Sequence, residues 1–477
     1  MATHPRNNLL DRARRFLFGY DAAVSSPRRR QPTVRLISED AELPSGHRRA
    51  LLGGARDTAR NFTVCAWAIR QHLNYVSSFK FQARTNDDGL NRDLESLVET
   101  WSGRKQSDRA GRHNFHRALR MAEARRTVDG DILAVKLSDG RLQWIEAERV
   151  GSPTLSQIQW KDGHRIIHGV EVDDAGAALS YQLCRRTPEG LGLIADGEIP
   201  AQNAILYANW DAANRFDATR GISPIAAALN AYRDLYESLD YALAKAKIAQ
   251  LFGLAFYRTE SDSLPGTTPV PDADADGGDD PRYNIDFSKG PIVLDLDPGD
   301  RAEFLESKQP STEFQAYASL CIAIALKSLD IPYCFFDETK TNYSGTRQAW
   351  IQYDCSAELK RRDVRELLDE ITEWLFALKI AKGDLKLPRR RTLADLNWEW
   401  VAIGQPWIDP LKEAQADALA IGQTLTSRSR VCKQRGEEWR EIVDEIAAEN
   451  AYLTSRGLPL PPAFQNPSDI HEPAGNN

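Results

Sequence analysis

Two histidine pairs have spacings that suit chemistry: His113-x2-His116 and His164-x3-His168. Imidazoles one helical turn apart can hold a metal. Neither pair has a third ligand placed by spacing. His164-Arg-Ile-Ile-His168 also lacks the glutamate of an H-E-x-x-H helix and lies in a segment that reads as strand. Both pairs are read as surface histidines, and no metal is assigned. Asp272-x-Asp274-x-Asp276-Gly277 reproduces the first half of an EF-hand calcium loop. The twelfth position, which should supply a bidentate Glu, is Tyr283, and Pro271 and Pro281 stand where helices should flank the loop. A solvated acidic loop is the better reading. There is no G-x-x-x-x-G-K-[ST] phosphate loop and no G-x-S-x-G elbow, and Gly190-Leu-Gly192 is a G-x-G without the rest of a dinucleotide fingerprint. No catalytic residue and no cofactor is assigned, and enzymatic activity is not expected.

The chain that must position any other site has 477 residues, enough for about three domains. With 42% hydrophobic and 27% charged residues it can build packed cores, which excludes wholesale disorder. No stretch approaches the roughly 18 apolar residues that span a bilayer. Phe16-Leu17-Phe18 runs into Gly19, Tyr20 and Asp21, so no secretory signal is expected. Six scattered cysteines without a C-x-x-C pair argue against a zinc ribbon or a disulfide scaffold, and fit a reducing compartment. The net charge of −7 is opposite to that of a protein that wraps nucleic acid. Charge is nonetheless polarised: Arg6, Arg12, Arg14, Arg15, Arg28, Arg29 and Arg30 crowd the first thirty residues, whereas every charge from Glu260 to Asp280 is acidic.

The pattern predicts helices over about 48–78, 91–102 and 113–125, then a hairpin of Asp131–Ser138 and Arg141–Glu146 around Asp139-Gly140. Further strands are expected at 165–172, 179–185 and 204–207, giving an α+β first third. Ser223 and Pro224 read as the N-cap and first residue of a long helix. A polar insertion at 259–284, a strand at 290–295 and a helix over 311–329 follow. Asp337–Gly345 is a polar loop, with Ser344 expected to cap a helix running from Thr346 to Lys382 and stopped by Gly383. A strand over 398–403 precedes three helices, beginning after Asp409-Pro410, at Thr426 and at Glu437. Long amphipathic helices at 224–252 and 346–382 are hard to bury within one chain, so subunit contacts are expected to cover Leu239 and Leu367.

An ordered set of motifs from about Arg48 to Leu458 resembles the portal proteins of tailed bacteriophages, specifically the lambda-like portal family. The most specific piece is Pro310-x3-Phe314-x5-Leu320-x-Ile322-Ala323, then Ile331-Pro332-Tyr333, Asp337 and Asn342-Tyr343-Ser344-x2-Arg347. The family's usual form there is N-Y-S-S-x-R, and here the second Ser is Gly345; Cys334-Phe335-Phe336 likewise replaces a Leu-rich, Gly-containing stretch. Arg56-Asp57-x2-Arg60-Asn61, Gly169-Val170-Glu171-Val172-Asp173, Ile199-Pro200-Ala201 and Arg220-Gly221-Ile222-Ser223-Pro224 also agree. So do Pro406-Trp407-Ile408-Asp409-Pro410-x-Lys412-Glu413, Leu425-Thr426-Ser427-Arg428 and Arg435-Gly436-x2-Trp439.

The resemblance implies an α+β portal fold in a ring, usually of twelve subunits, at one capsid vertex. It divides the chain into an Arg-rich flexible arm (1–45), an α/β wing (46–222), a stem helix (223–252), a clip with the acidic insertion (253–306) and a second stem helix (307–333). A tunnel loop (334–346), a long wing helix and strand (347–405), a helical crown (406–457) and a flexible tail (458–477) complete it. Lys340, Thr341, Asn342 and Tyr343 would line the DNA channel, and Asp272, Asp274, Asp276 and Arg282 would dock the motor or adaptor. The implied partners are other copies of the chain, double-stranded DNA, the terminase large subunit, head–tail adaptor and connector proteins, and the major capsid and scaffold proteins; no membrane is involved. The implied location is the virion, after assembly in the host cytoplasm. Two other readings compete: a soluble hydrolase with an unidentified carboxylate pair, and a nucleic-acid-binding protein that uses the Arg-rich arm.

Overall fold

The computed structural model describes residues 37–103, 105–151, 158–212, 214–251, 254–258, 300–304, 312–340, 342–388, 391–404 and 410–458. Asp272, Asp274, Asp276 and Arg282, the expected strand at 290–295, the arm before Ile37 and the tail after Leu458 lie outside these residues.

In chain order, α1 spans Glu39–Glu42, α2 Ser45–Asn61, α3 Thr63–Val76, β1 Phe79–Ala83, α4 Asp88–Gly103, α5 Phe115–Asp129, β2 Asp131–Lys136 and β3 Leu142–Glu146. Next come β4 Ile158–Lys161, β5 His164–Ile167, β6 Val170–Val172, β7 Ala178–Arg186, β8 Leu193–Pro200 and β9 Ala204–Ala208. The chain continues with α6 Leu229–Leu251, β10 Leu254–Arg258, β11 Asp300–Phe304, α7 Thr312–Leu326 and α8 Tyr343–Lys382, then β12 Trp398–Ala402, α9 Pro410–Gly422, α10 Arg428–Gln434 and α11 Trp439–Ser455. These elements form two units, one of residues 1–226 with 342–477 and one of residues 227–341.

The larger unit is α+β. Antiparallel strands in the order β3-β2-β9 form one sheet, and β4 to β8 form a five-stranded meander in sequence order. Their inner faces share a core in which Leu133, Val135, Ile145 and Ala204 meet Ile167, Val170, Tyr181 and Leu183. Alternation along each strand puts these residues on one face. A second core is aromatic and gathers around the β1–β12 pair. Phe81 packs edge-on to Phe376 and Trp400, Trp101 lies 4.8 Å from Phe115, and Phe376 meets Trp398 edge-on at 5.5 Å.

α8 is 40 residues long, about 60 Å at 1.5 Å per residue. Gly383, with φ 78°, ends it in a left-handed cap, as expected from its sequence. One face of α8, including Val364, Leu367, Leu368, Ile371 and Phe376, is buried in this chain. Leu367 is only 2% exposed, so replacing it with Asp would test folding rather than assembly, against the expectation for that residue.

Several expected elements differ in detail. The helix expected over 48–78 is two helices, because Phe62, the residue between α2 and α3, adopts an extended backbone with its side chain buried. Residues 37–45, expected to belong to the arm, carry α1, and the buried Asp40 accepts the Thr219 hydroxyl at 2.6 Å. The strand expected at 165–172 is a hairpin. His168 and Gly169 have φ of 50° and 84°, the positive pair a type I′ turn needs. β1, β4, β8, β10 and β11 were not expected. Ser223 does not cap a helix with its side chain: its hydroxyl donates to the Thr127 carbonyl at 2.8 Å, residues Pro224–Ala228 form a 3-10 turn, and the α-helix starts at Leu229. The helix expected from Thr426 is instead capped by Ser427, whose Oγ accepts from the Arg430 N–H.

Two glycines account for the C-terminal Arg435-Gly436 motif. A Cβ on Gly404 would lie 2.2 Å from the Arg435 carbonyl carbon, and Gly436 has φ 78° with its own Cβ position 2.6 Å from the Gly404 nitrogen. Only backbone without side chains can cross there.

The smaller unit holds α6, the antiparallel β10–β11 pair, α7 and short 3-10 turns. α6 and α7 pack together. Residues 227–251 and 312–333 of the expected stem helices fall within this unit. The register Leu254↔Phe304 to Arg258↔Asp300 closes the base of the acidic insertion.

Candidate functional site

The family-like motifs of the first half converge on a buried guanidinium latch in the larger unit. Arg220 uses all five of its N–H donors. Nε and one Nη bond the two oxygens of Asp131 at 2.7 and 2.6 Å, and the remaining donors reach the carbonyls of Ala147, Val150 and His168 at 2.9–3.1 Å. Arg48 on α2 also donates to Asp131, at 2.7 Å, and to the Gly221 carbonyl at 2.9 Å. Close approach is possible because Gly221 faces Gly130: a Cβ on Gly221 would lie 2.2 Å from the Gly130 carbonyl oxygen. Burial pushes the Asp131 carboxyl up, but the two guanidiniums and their hydrogen bonds hold it below its ordinary value. Arg56, from the early R-D-x-x-R-N motif, makes a two-pronged contact with Asp129 at 2.7 and 2.6 Å and reaches Glu148 at 2.5 Å. Together these bonds tie α2, α5, the β2–β3 hairpin, the β5–β6 turn and the chain at 220–221 into one piece.

A second buried cluster ties α8 to the same unit. Glu123 accepts from His72 Nε2 at 2.6 Å, from Arg126 Nε at 2.9 Å and from the Tyr207 hydroxyl. Arg126 also reaches Asp363 on α8 at 2.8 Å and lies over the Tyr207 ring. Burial raises the Glu123 carboxyl, yet Arg126 and the His72 hydrogen bond outweigh it and hold the pKa at about 2. A carboxyl depressed from its ordinary 4.5 contributes stability that is complete above pH 4.5 and is lost as pH falls through about 2. The melting temperature is therefore expected to fall between pH 4.5 and 2, and Glu123→Gln should flatten that acid limb relative to wild type. Parallel acid limbs in the two proteins would overturn this assignment. Sequence reasoning missed both clusters, since no spacing rule links residues 48, 131 and 220, or 72, 123 and 207.

The expected channel residues lie around one short turn. α7 ends through a 3-10 turn and Asp330, which has φ 61°, and Ile331 is fully buried before Pro332. Asp337 accepts from the Thr339 N–H and hydroxyl, starting the 3-10 turn Glu338–Lys340. Lys340 closes that turn; its side chain and Thr341 lie outside the described residues. Asn342, not Ser344, caps α8: its side chain accepts from the Gly345 N–H at 2.8 Å, and the helix begins at Tyr343 rather than Thr346. An Asn carbonyl reaches the N3 N–H as readily as a Ser hydroxyl does, so the cap moves forward and takes Tyr343, Ser344 and Gly345 into the first turn. The polar loop shortens to Asp337–Asn342.

α6 and α7 each expose an apolar stripe with the spacing i, i+3, i+7. On α6 it is Tyr236, Leu239 and Leu243, and on α7 Tyr317, Leu320 and Ile324, with Leu320 57% and Ile324 56% exposed. Runs of this kind mark interaction surfaces. The histidine pairs gather no metal set, and among the described residues no group of three potential ligands is arranged to hold one. His164 opens β5, while the His168 ring is buried beside Ser45 and Asp40.

Comparison with known proteins agrees with the motifs. The family model described as phage portal protein, lambda family, matches residues 26–359. The "Probable portal protein" of Halomonas phage phiHAP-1 is 24% identical over 396 residues, covering 79% of this chain and 73% of the relative. The portal protein of Escherichia phage N15 is 21% identical over 499 residues, covering 90% and 88%. Among solved structures, a chain in the neck of an empty gene transfer agent particle aligns at 12% identity and a TM-score of 0.48, over 87% of this chain and 97% of that one.

Proposed function

Because this chain belongs to the lambda family of phage portal proteins, we propose that it assembles into a ring, of twelve copies by the family's habit, whose central channel passes double-stranded DNA at one capsid vertex. The family is a structural one, and nothing in the match favours the hydrolase reading. The observation that carries the ring is the pair of apolar stripes on α6 and α7. A monomer in water gains nothing by exposing Leu320 and Ile324, whereas repeated contact between copies would bury them. Mass photometry of the purified protein tests this. A particle of about 0.6 MDa supports the ring, and a stable species at the 53.5 kDa of one chain would overturn it.

In the ring, the turn Asp337–Asn342 is the channel-facing collar, with Lys340 offering weak, repeated contact to passing phosphates. The net charge of −7 suits a conduit, because like charge discourages binding that would stall the DNA. Lys340→Glu is expected to leave ring mass unchanged and to lower the amount of DNA packaged or retained. Packaging at the wild-type level, or a ring map with this turn on the outer surface, would defeat the assignment. The insertion carrying Asp272, Asp274, Asp276 and Arg282 is the part that meets the terminase large subunit and later the head–tail adaptor proteins. The antiparallel β10–β11 pair, which brackets the insertion in the sequence, supports this reading. Contacts with capsid and scaffold proteins, assembly in the host cytoplasm and residence at the portal vertex of the virion complete the reading.

A further inference from the structure

A cavity of about 420 Å³ opens beside the latch in the larger unit, between α2, the β5–β6 turn and the β7–β8 hairpin. Arg48, Arg49, Arg186 and Arg220 contribute to its wall, against a single carboxylate there, that of Glu148, which already bonds Arg56 and Arg186. Behind the wall, Asp131 is shared by two guanidiniums, while Asp40 bonds Thr219. Arg220 has no donor to spare. Arg48 uses only two of its five, yet its side chain is just 12% exposed. His168 adds a second unfilled group: its ring is 4% exposed and Nε2 has no hydrogen-bond partner, the nearest carboxylate oxygen, of Asp40, being 4.0 Å away. Buried polar groups left this way are costly, and a buried cation with half a counter-ion is more so. Ser45 and Gln182 add polar lining, and Leu52, Val150, Ile166, Leu193 and, at the rim, Leu191, which is 94% exposed, supply an aliphatic part of the wall.

We propose that this cavity binds a carboxylate carried on an aliphatic stretch of a partner protein, with Arg48 accepting the charge inside and Arg49 and Arg186 at the mouth. An inorganic anion fits less well. It would leave most of the volume and all of the aliphatic wall unused, and Glu148 repels a dianion more than a single carboxylate. The carboxylate can be a chain terminus or an acidic side chain, and either makes the same charge-assisted bonds.

The test uses full-length assembled protein and saturation-transfer difference NMR at constant ionic strength. The probes are acetyl-Leu-Leu with a free C-terminus, acetyl-Leu-Asp-Leu amide, and acetyl-Leu-Asn-Leu amide as the neutral control. At least one carboxylate probe should saturate and bind about tenfold or more tightly than the control. Which one saturates identifies the source. Binding should vanish in the Arg49→Ala/Arg186→Ala double variant, with circular dichroism and ring mass unchanged. Should the double variant misfold, Arg49→Ala alone carries the comparison, because Arg49 is exposed at the rim. Equal binding of the Asn control, no saturation by either carboxylate, or undiminished binding by the folded variant would overturn the proposal. None of these results depends on whether the ring passes DNA.

Discussion

Asp131→Ala is expected to lower the stability of the larger unit by about 3–5 kcal/mol, among the largest effects of any single substitution here, because it removes one partner of a buried ion-pair network. The carboxylate is fully buried and is the shared counter-charge of Arg220 and Arg48, whose side chains are 1% and 12% exposed. Without it two guanidiniums remain inside with only carbonyl acceptors. Arg220→Met should be less severe in charge terms, since Arg48 still meets Asp131, but it removes a donor from each of the carbonyls of Ala147, Val150 and His168. Chemical denaturation followed by circular dichroism measures both. An Asp131→Ala protein with the wild-type midpoint would show that the latch contributes nothing to folding. Loss of the latch should also loosen the chain at 220–223, where Ser223 and Asn209 make the neighbouring backbone bonds. Faster hydrogen exchange at Ile222 would report it.

Leu239→Asp combined with Leu320→Asp is the second large effect, expected to yield folded subunits that do not close a ring. The two leucines sit on the exposed stripes of α6 and α7, at 45% and 57% exposure, so the substitutions cost the isolated chain little. In a ring each would bury a charge in place of a side chain whose burial stabilises by roughly 1.5–3 kcal/mol, and the loss recurs at every interface. A factor of ten per interface for each 1.4 kcal/mol is ample to dissolve a closed assembly. Mass photometry should move from the ring to single chains of 53.5 kDa while the circular dichroism spectrum is kept. Intact rings from the double variant would remove these stripes from the interface. Leu367 serves as the internal contrast: it is buried in its own chain, and Leu367→Asp should unfold the protein rather than disperse it.

Much of the local structure was legible from residue types. The Asp139-Gly140 hairpin, the stop at Gly383, the β12 strand around Trp400 and the amphipathic helices all follow from turn chemistry and periodicity acting within a few residues. The ordered motifs also carried the family, because their spacing along the chain survives even where single residues such as Gly345 depart from the pattern. Phe62 shows where local reasoning stops: its helical pattern was unbroken, yet the chain takes one extended residue there and buries the side chain. Asn342 makes the same point at the channel turn, where two polar residues on either side of Tyr343 were both competent caps and the backbone path selected the earlier one.

The sequence by itself determined which faces are apolar, where helices stop and which family the chain resembles. Only the tertiary structure decided that Arg48, Asp131 and Arg220 meet, across separations of 83 and 89 residues, and that Leu367 is covered by its own chain while Leu239 is not. The physical reason is that periodicity and capping depend on neighbours within a turn or two. Ion-pair partners and the surface that covers an apolar stripe depend on how distant segments pack, and no short window of sequence contains that.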